Sequence, residues 1–316
     1  MCDHHHETEQ HVSKDIREML NRRRMIQALA AGGMVAISAP ALQGCATNTE
    51  TGDNQLLLIS DGQLSQMAAQ SWAEAKRKQP VSTDPRYTRR LASVGKRIAR
   101  ASRRDNRPWD YAVFDSDAKN AFVLPGNHVG FYRGIMDFSD SDDQIAAVMG
   151  HEVGHVAGKH AAARMSQQLA GQLAVMGGTI LAGSQISKSC KQYQDRRQQA
   201  YCYQKAQRQT RLINQALGLG FMVGIALPFS RHHESQADLL GVRYMHRAGY
   251  DPYQAVKLWE KMAAASTRRQ PEFLSTHPSP ERRARDLYNY IKCQERLGSQ
   301  GWSDATLKAS LQACKA

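Results

Sequence analysis

Between Ser141 and Ser166 the apolar residues Ile145, Val148, Met149, Val156 and Met165 recur at helical spacing with no proline among them, which predicts one long helix. Ser141, with Gln144 three residues on, is a capping-box start for it. The same periodicity predicts helices over about 63–78, from Asp84-Pro85 to Arg103, over 234–247 with Gly249 just past the end, and over about 253–265. One or two short helices are expected between Ala284 and Ala316. Alternating, β-branched or aromatic runs predict short strands over 109–114, 121–124 and 128–132, the last two joined by the turn Pro125-Gly126-Asn127. Two apolar stretches, 169–186 and 212–229, flank a basic, Gln-rich insert. Each lies near the lower limit of ~17–25 residues for a membrane span and is broken by polar residues such as Gln172, Thr179 and Asn214. They read as a helical hairpin packed over the long helix, with bilayer crossing as the alternative. The chain is therefore mainly α with a small antiparallel β-sheet, an α+β class.

The long helix carries His151-Glu152-Val153-Gly154-His155. Positions i and i+4 share a helix face, so both imidazoles can reach one Zn²⁺ at ~2.0–2.1 Å. Glu152 is then placed to act as general base on a water at the metal. A helix that happens to bear two histidines has the same pentapeptide, so a third ligand must decide. Glu234 is the candidate, with Asp238 on the same face of the helix over 234–247. One carboxylate could bind the metal while the other takes the free ring N–H of a ligand histidine. A solvated helix N-terminus, where acidic residues are favoured anyway, is the plainer account.

Taken together, H-E-x-x-H and, on a distant helix, S-R-x-x-E-x-x-A-D-x-x-G from Ser230 to Gly241 resemble the zinc endopeptidases related to the CAAX prenyl proteases, in their soluble periplasmic lipoprotein branch. The resemblance spans roughly residues 56–283. It implies a zincin-like (gluzincin) fold and one Zn²⁺ per chain held by His151, His155 and Glu234. It also implies Glu152 as base and Asp238 orienting a ligand. It makes Asn120 a contact to the substrate backbone, where a simple turn asparagine is equally plausible. The strand residues His128, Val129 and Gly130 belong to a sheet edge that takes an extended peptide. The block from Ser275 to Arg283 resembles the family's His-Pro segment, so Arg283 would steady the tetrahedral oxyanion, with Arg282 one residue away as rival. His277 would do the same, or would cap the zinc from a mobile loop and hold the enzyme latent. His160, His232, His233 and His246 have no motif around them and read as packing or surface residues.

Composition narrows the setting. Among 316 residues, 42 basic against 29 acidic side chains give +13. No basic run is interleaved with aromatics, so nucleic acid is not expected, and an anionic lipid or envelope surface explains the charge as well. After a polar start over 1–18, Arg22-Arg23-Arg24 precede an apolar, small-residue segment that ends at Cys45, the layout of an export signal. Leu42-Gln43-Gly44-Cys45 resembles a bacterial lipobox, which would make Cys45 a lipid-anchored first residue; a cysteine that merely follows a cleaved signal is the alternative. Export by either the Sec or the twin-arginine route would leave the protein in the periplasm, anchored to the outer membrane. Of the three pairings open to Cys190, Cys202, Cys293 and Cys314, sequence proximity favours Cys190–Cys202 and Cys293–Cys314. The organisation expected is an extension and signal (1–45), a linker (46–62), a metallopeptidase domain (63–290) and a stapled helical tail (291–316). Unfolded or misfolded envelope polypeptides are the expected substrates and outer-membrane assembly machinery a further partner. An envelope chaperone with little turnover is the rival function.

Overall fold

The computed structural model describes residues 45–222, 226–266 and 280–314. The export signal and His277 lie outside the described residues. The elements are β1 (Cys45–Thr47), β2 (Asn54–Leu56), α1 (Asp61–Lys78), α2 (Pro85–Ala101), β3 (Asp110–Phe114), β4 (Ala121–Leu124), β5 (His128–Tyr132) and α3 (Arg133–Phe138). There follow α4 (Asp142–Ala157), α5 (His160–Cys190), α6 (Arg196–Phe221), α7 (Leu227–Arg247), α8 (Tyr253–Ser266), α9 (Pro280–Arg296) and α10 (Leu307–Ala313).

Helix α4 is the axis of the molecule. Ser141 caps it by accepting from the Gln144 N–H, and Asp142 and Asp143 sit in its first turn, where the helix dipole favours negative charge. Twelve of its sixteen residues are buried, so it lacks the polar face of a surface helix. Around it pack Leu91, Val94 and Ile98 of α2, Leu240, Val242 and Met245 of α7, Leu258 and Met262 of α8, and Leu287 and Ile291 of α9, which form one continuous core.

The single long helix expected from Ser141 to Ser166 is broken. α4 ends at Ala157, Lys159 takes a left-handed conformation (φ 52°), and α5 restarts at His160. Hydrophobic spacing runs on across the break, which is why periodicity alone does not reveal it. α5 and α6 then form an antiparallel hairpin tied by Cys190–Cys202. They pack chiefly on each other and leave Ile180, Leu181, Leu212 and Leu219 exposed. α5 is long and apolar enough to cross a membrane. Cys293–Cys314 staples α10 back onto α9.

The main sheet has the order β3-β5-β4, with β5 parallel to β3 and antiparallel to β4. It is therefore mixed: the loop after Phe114 reverses the chain but leaves a gap that β5 fills. β1 and β2 make a separate antiparallel pair. This pair lies within the segment read as a linker. It is fastened to the end of α4, because Asn48 Nδ2 donates to the Ala157 carbonyl (3.0 Å) and Gln55 Nε2 to that of Gly158 (2.7 Å).

Candidate metal centre

α4 and α7 cross unusually closely because the contact is made of small residues. A Cβ placed on Gly154 would lie 2.5 Å from the Ala237 carbonyl oxygen, one on Gly150 2.8 Å from that of Gly241, and one on Gly241 2.8 Å from the His151 nitrogen. Backbone faces backbone there, so neither helix can yield without moving the side chains it carries. Gly154→Ala or Gly241→Ala should cost about 1–3 kcal/mol by overpacking. Gly218→Ala, with nothing within 4 Å, is the control, and should be neutral or stabilising by about 0.4–1 kcal/mol. Urea unfolding of the three variants checks this.

The crossing brings His151 and His155 of α4 against Glu234 of α7. Nε2 of His151 is 3.1 Å from Nε2 of His155 and 3.4 Å from Oε2 of Glu234, and Nε2 of His155 is 3.5 Å from Oε1 of Glu234. Among the described residues this is the one group of three or more His, Cys, Asp or Glu side chains whose ligand atoms lie within 4.8 Å of one another. A tetrahedral ion held at ~2.0–2.1 Å has edges of about 3.3 Å between ligand atoms, so these separations fit one small cation. Two nitrogens and a carboxylate oxygen, with no thiolate, are the donor set of a catalytic zinc site rather than a closed structural one.

Behind the ligand atoms lies a second row of polar groups. Oδ1 of Asp238 is 2.9 Å from Nδ1 of His151. Arg283 grips Asp238 in a fork, Nε to Oδ2 at 2.6 Å and Nη2 to Oδ1 at 2.5 Å, while its guanidinium lies 3.5 Å from the centre of the Trp259 ring. Burial pushes the Asp238 carboxyl up, and Arg283 overrides it and holds it below the usual carboxylate range. Burial and Arg283 push the His151 imidazole down, but its hydrogen bonds with Asp238 and Glu234 prevail and raise it to about 9. A proton and a cation therefore compete for this imidazole. Arg282, the rival of Arg283, faces solvent and pairs with Asp286 at 3.4 Å. Arg283 itself binds Asp238, with Nη2 also 3.0 Å from Nδ1 of His151 and Nη1 3.6 Å from Glu234.

Glu152 is buried at 2 % exposure. Burial pushes its carboxyl up to about 7, opposed by the charges of His151 and Arg283 and by a hydrogen bond from the Val123 backbone. It shares an open cleft of about 890 Å³ with His155, Glu234, Phe122, Val123 and Pro125.

That cleft corrects one expectation. β5 is the central strand, hydrogen-bonded on both sides, so His128, Val129 and Gly130 offer no open edge. Val129 is fully buried, Gly130 lies under Phe122 and Phe114, and the His128 ring stacks on Trp72 at 5.5 Å. The edge that borders the cleft is β4. Asn120 precedes β4; its carbonyl accepts from the Tyr132 N–H and its side chain from the Ala121 N–H.

His160 is buried, as a packing residue would be, with Nδ1 2.9 Å from Nδ1 of His155. The sequence signal for it is faint: on an unbroken helix a residue five positions on points away.

The chain is similar in sequence to known proteases. The Beta-barrel assembly-enhancing protease of Escherichia coli K12 is 27% identical over 277 residues, 85% of this chain and 52% of its own length. The Mitochondrial metalloendopeptidase OMA1 of Schizosaccharomyces pombe is 32% identical over 203 residues, 64% of this chain and 52% of its own length. The chain spans about half the length of these curated relatives. The sequence profile described as Peptidase family M48 matches residues 85–291, about two-thirds of the chain. By that match, which contains every ligand atom of the cluster, the chain belongs to Peptidase family M48.

Proposed function

We propose that this protein is a zinc-dependent endopeptidase of the bacterial cell envelope. The observation that carries the reading is the convergence of His151, His155 and Glu234 within bonding reach of one cation, beside the buried carboxyl of Glu152. When bound, Zn²⁺ would polarise a peptide carbonyl and acidify water at the site. Glu152 accepts the proton of the attacking water and returns it to the leaving amine. Asp238 holds His151 in one tautomer through Nδ1, and Arg283 keeps Asp238 ionised and in place. The β4 edge pairs with an extended backbone irrespective of side chains, which suits unfolded polypeptides. His277 remains assigned to oxyanion binding or to gating the metal.

The relatives named for β-barrel assembly support a periplasmic site of action and misassembled outer-membrane proteins as substrates. Membrane attachment is assigned to an acyl group on Cys45. The intact mass of the mature form decides whether Cys45 carries it. An envelope chaperone that binds clients with little turnover is the second reading, favoured only by the size of the cleft.

Elemental analysis combined with a casein assay tests the proposal. About one zinc per chain is expected, with cleavage abolished by chelator and restored by Zn²⁺. Cleavage that persists in metal-free protein would overturn it.

A further inference from the structure

The two histidines of the metal cluster are oriented by different means. His151 has the carboxylate of Asp238, whereas His155 faces a second imidazole. A neutral histidine whose Nε2 lone pair points at a cation carries its proton on Nδ1. The Nδ1–H of His155 must then donate to Nδ1 of His160, 2.9 Å away. That leaves the His160 proton on Nε2, which faces Oε1 of Gln236 at 3.1 Å. The Gln236 amide donates in turn to Oδ2 of Asp53 at 2.7 Å, and the same oxygen lies 2.7 Å from Nε2 of His232. Every bond in this row can run in one direction only, from the metal ligand outward to a carboxylate.

Several features hold His160 in this place. The break at Gly158-Lys159 turns the chain so that His160 folds back onto α4, and a Cβ on Gly158 would come 2.1 Å from its Nε2. His233 stacks on its other side, ring centres 4.1 Å apart and nearly parallel. Asp53 belongs to the loop between β1 and β2, outside the family match, and that pair is bonded to the carbonyls of Ala157 and Gly158.

We propose that His160 is a positioning residue for the metal centre, fixing the tautomer and ring plane of His155, and that Gln236 and Asp53 anchor it so that the 45–57 segment is a working part of the site. This rests on the metal reading of His151, His155 and Glu234. His160 does not touch the ion or the substrate and acts through His155 alone.

The test is Zn²⁺ affinity of the full chain, measured by competition with a fluorescent chelator, for wild type, His160→Leu, His160→Asn and Asp53→Ala. Asparagine keeps an acceptor oxygen where Nδ1 stands, and leucine fills the space without one. Loss of such an outer partner typically weakens metal binding 10–100-fold. His160→Leu should fall in that range, His160→Asn should recover most of the loss, and Asp53→Ala should show a smaller loss. The visible spectrum of the Co²⁺-substituted protein should shift in the leucine variant and revert in the asparagine variant. Unfolding midpoints of the metal-free proteins identify any variant that fails to fold, in which case Asp53→Ala carries the test. Wild type that binds zinc while His160→Leu and Asp53→Ala bind it equally well would overturn the inference. Equal losses for leucine and asparagine would also overturn it, because packing alone would then account for them. Failure of wild type to bind zinc would instead remove the metal reading itself.

Discussion

Glu152→Gln is expected to bind one metal per chain with unchanged affinity and to lose peptide-bond cleavage by about 10²–10⁴-fold. A positioned general base contributes on that scale. Glutamine keeps the size and one acceptor oxygen, so the Val123 N–H is still satisfied. It cannot take a proton at neutral pH. Burial already disfavours the charged form of this carboxyl, so the variant should unfold at the same temperature as wild type or higher. Thermal unfolding, metal content and a casein assay on one preparation separate these effects. Full cleavage by a cleanly purified variant would remove Glu152 from the mechanism. The same variant, still able to hold a client without cutting it, distinguishes a protease from a chaperone: client capture without cleavage by wild type would favour the latter.

Asp238→Ala is expected to be the most damaging single change outside the ligand set. Asp238 and Arg283 are each 5 % exposed and joined by two hydrogen bonds. Removing the carboxylate strands a guanidinium that cannot lose its charge, and breaking a buried pair in this way costs about 3–5 kcal/mol. Replacing both partners removes the stranded charge, so Asp238→Leu with Arg283→Met should recover most of that loss. The double variant should still bind metal about 10–100-fold more weakly, because His151 has lost its orienting carboxylate. Urea unfolding of metal-free proteins measures the first effect, and chelator competition the second. A loss below ~1 kcal/mol for Asp238→Ala would show the pair to be a bystander.

What the chain order revealed, and what it hid, follows the range of the interactions. His151, Glu152 and His155 were legible because helix geometry alone puts them together. Glu234 and Asp238 were legible because a helical repeat fixes their common face, although only the folded chain brings that face to α4. Which of Arg282 and Arg283 faces the site depends on how α9 packs: it turns Arg283 toward Asp238 and Arg282 toward solvent. Strand positions were readable to within a residue, but their order was not. β5 inserts between β3 and β4, so the strand edge beside the cleft belongs to Ala121–Leu124 and not to His128–Tyr132. Alternation along a strand says which side a residue faces and nothing about which strand lies beside it. His160 escaped for a similar reason. Its place beside His155 depends on a left-handed residue at Lys159, a conformation uncommon outside glycine and asparagine. Asp53 and Gln236 stand 107 and 76 positions from His160 and share no local pattern with it.

The account stands on three side chains from two helices holding one ion. X-ray absorption at the zinc edge, on zinc-loaded full-length protein, tests this most directly. Two imidazoles and oxygen ligands at about 2.0–2.1 Å, with no sulfur, are the expected first shell. A sulfur-containing shell, a fully hydrated ion without imidazole scattering, or no stoichiometric zinc at all would contradict it.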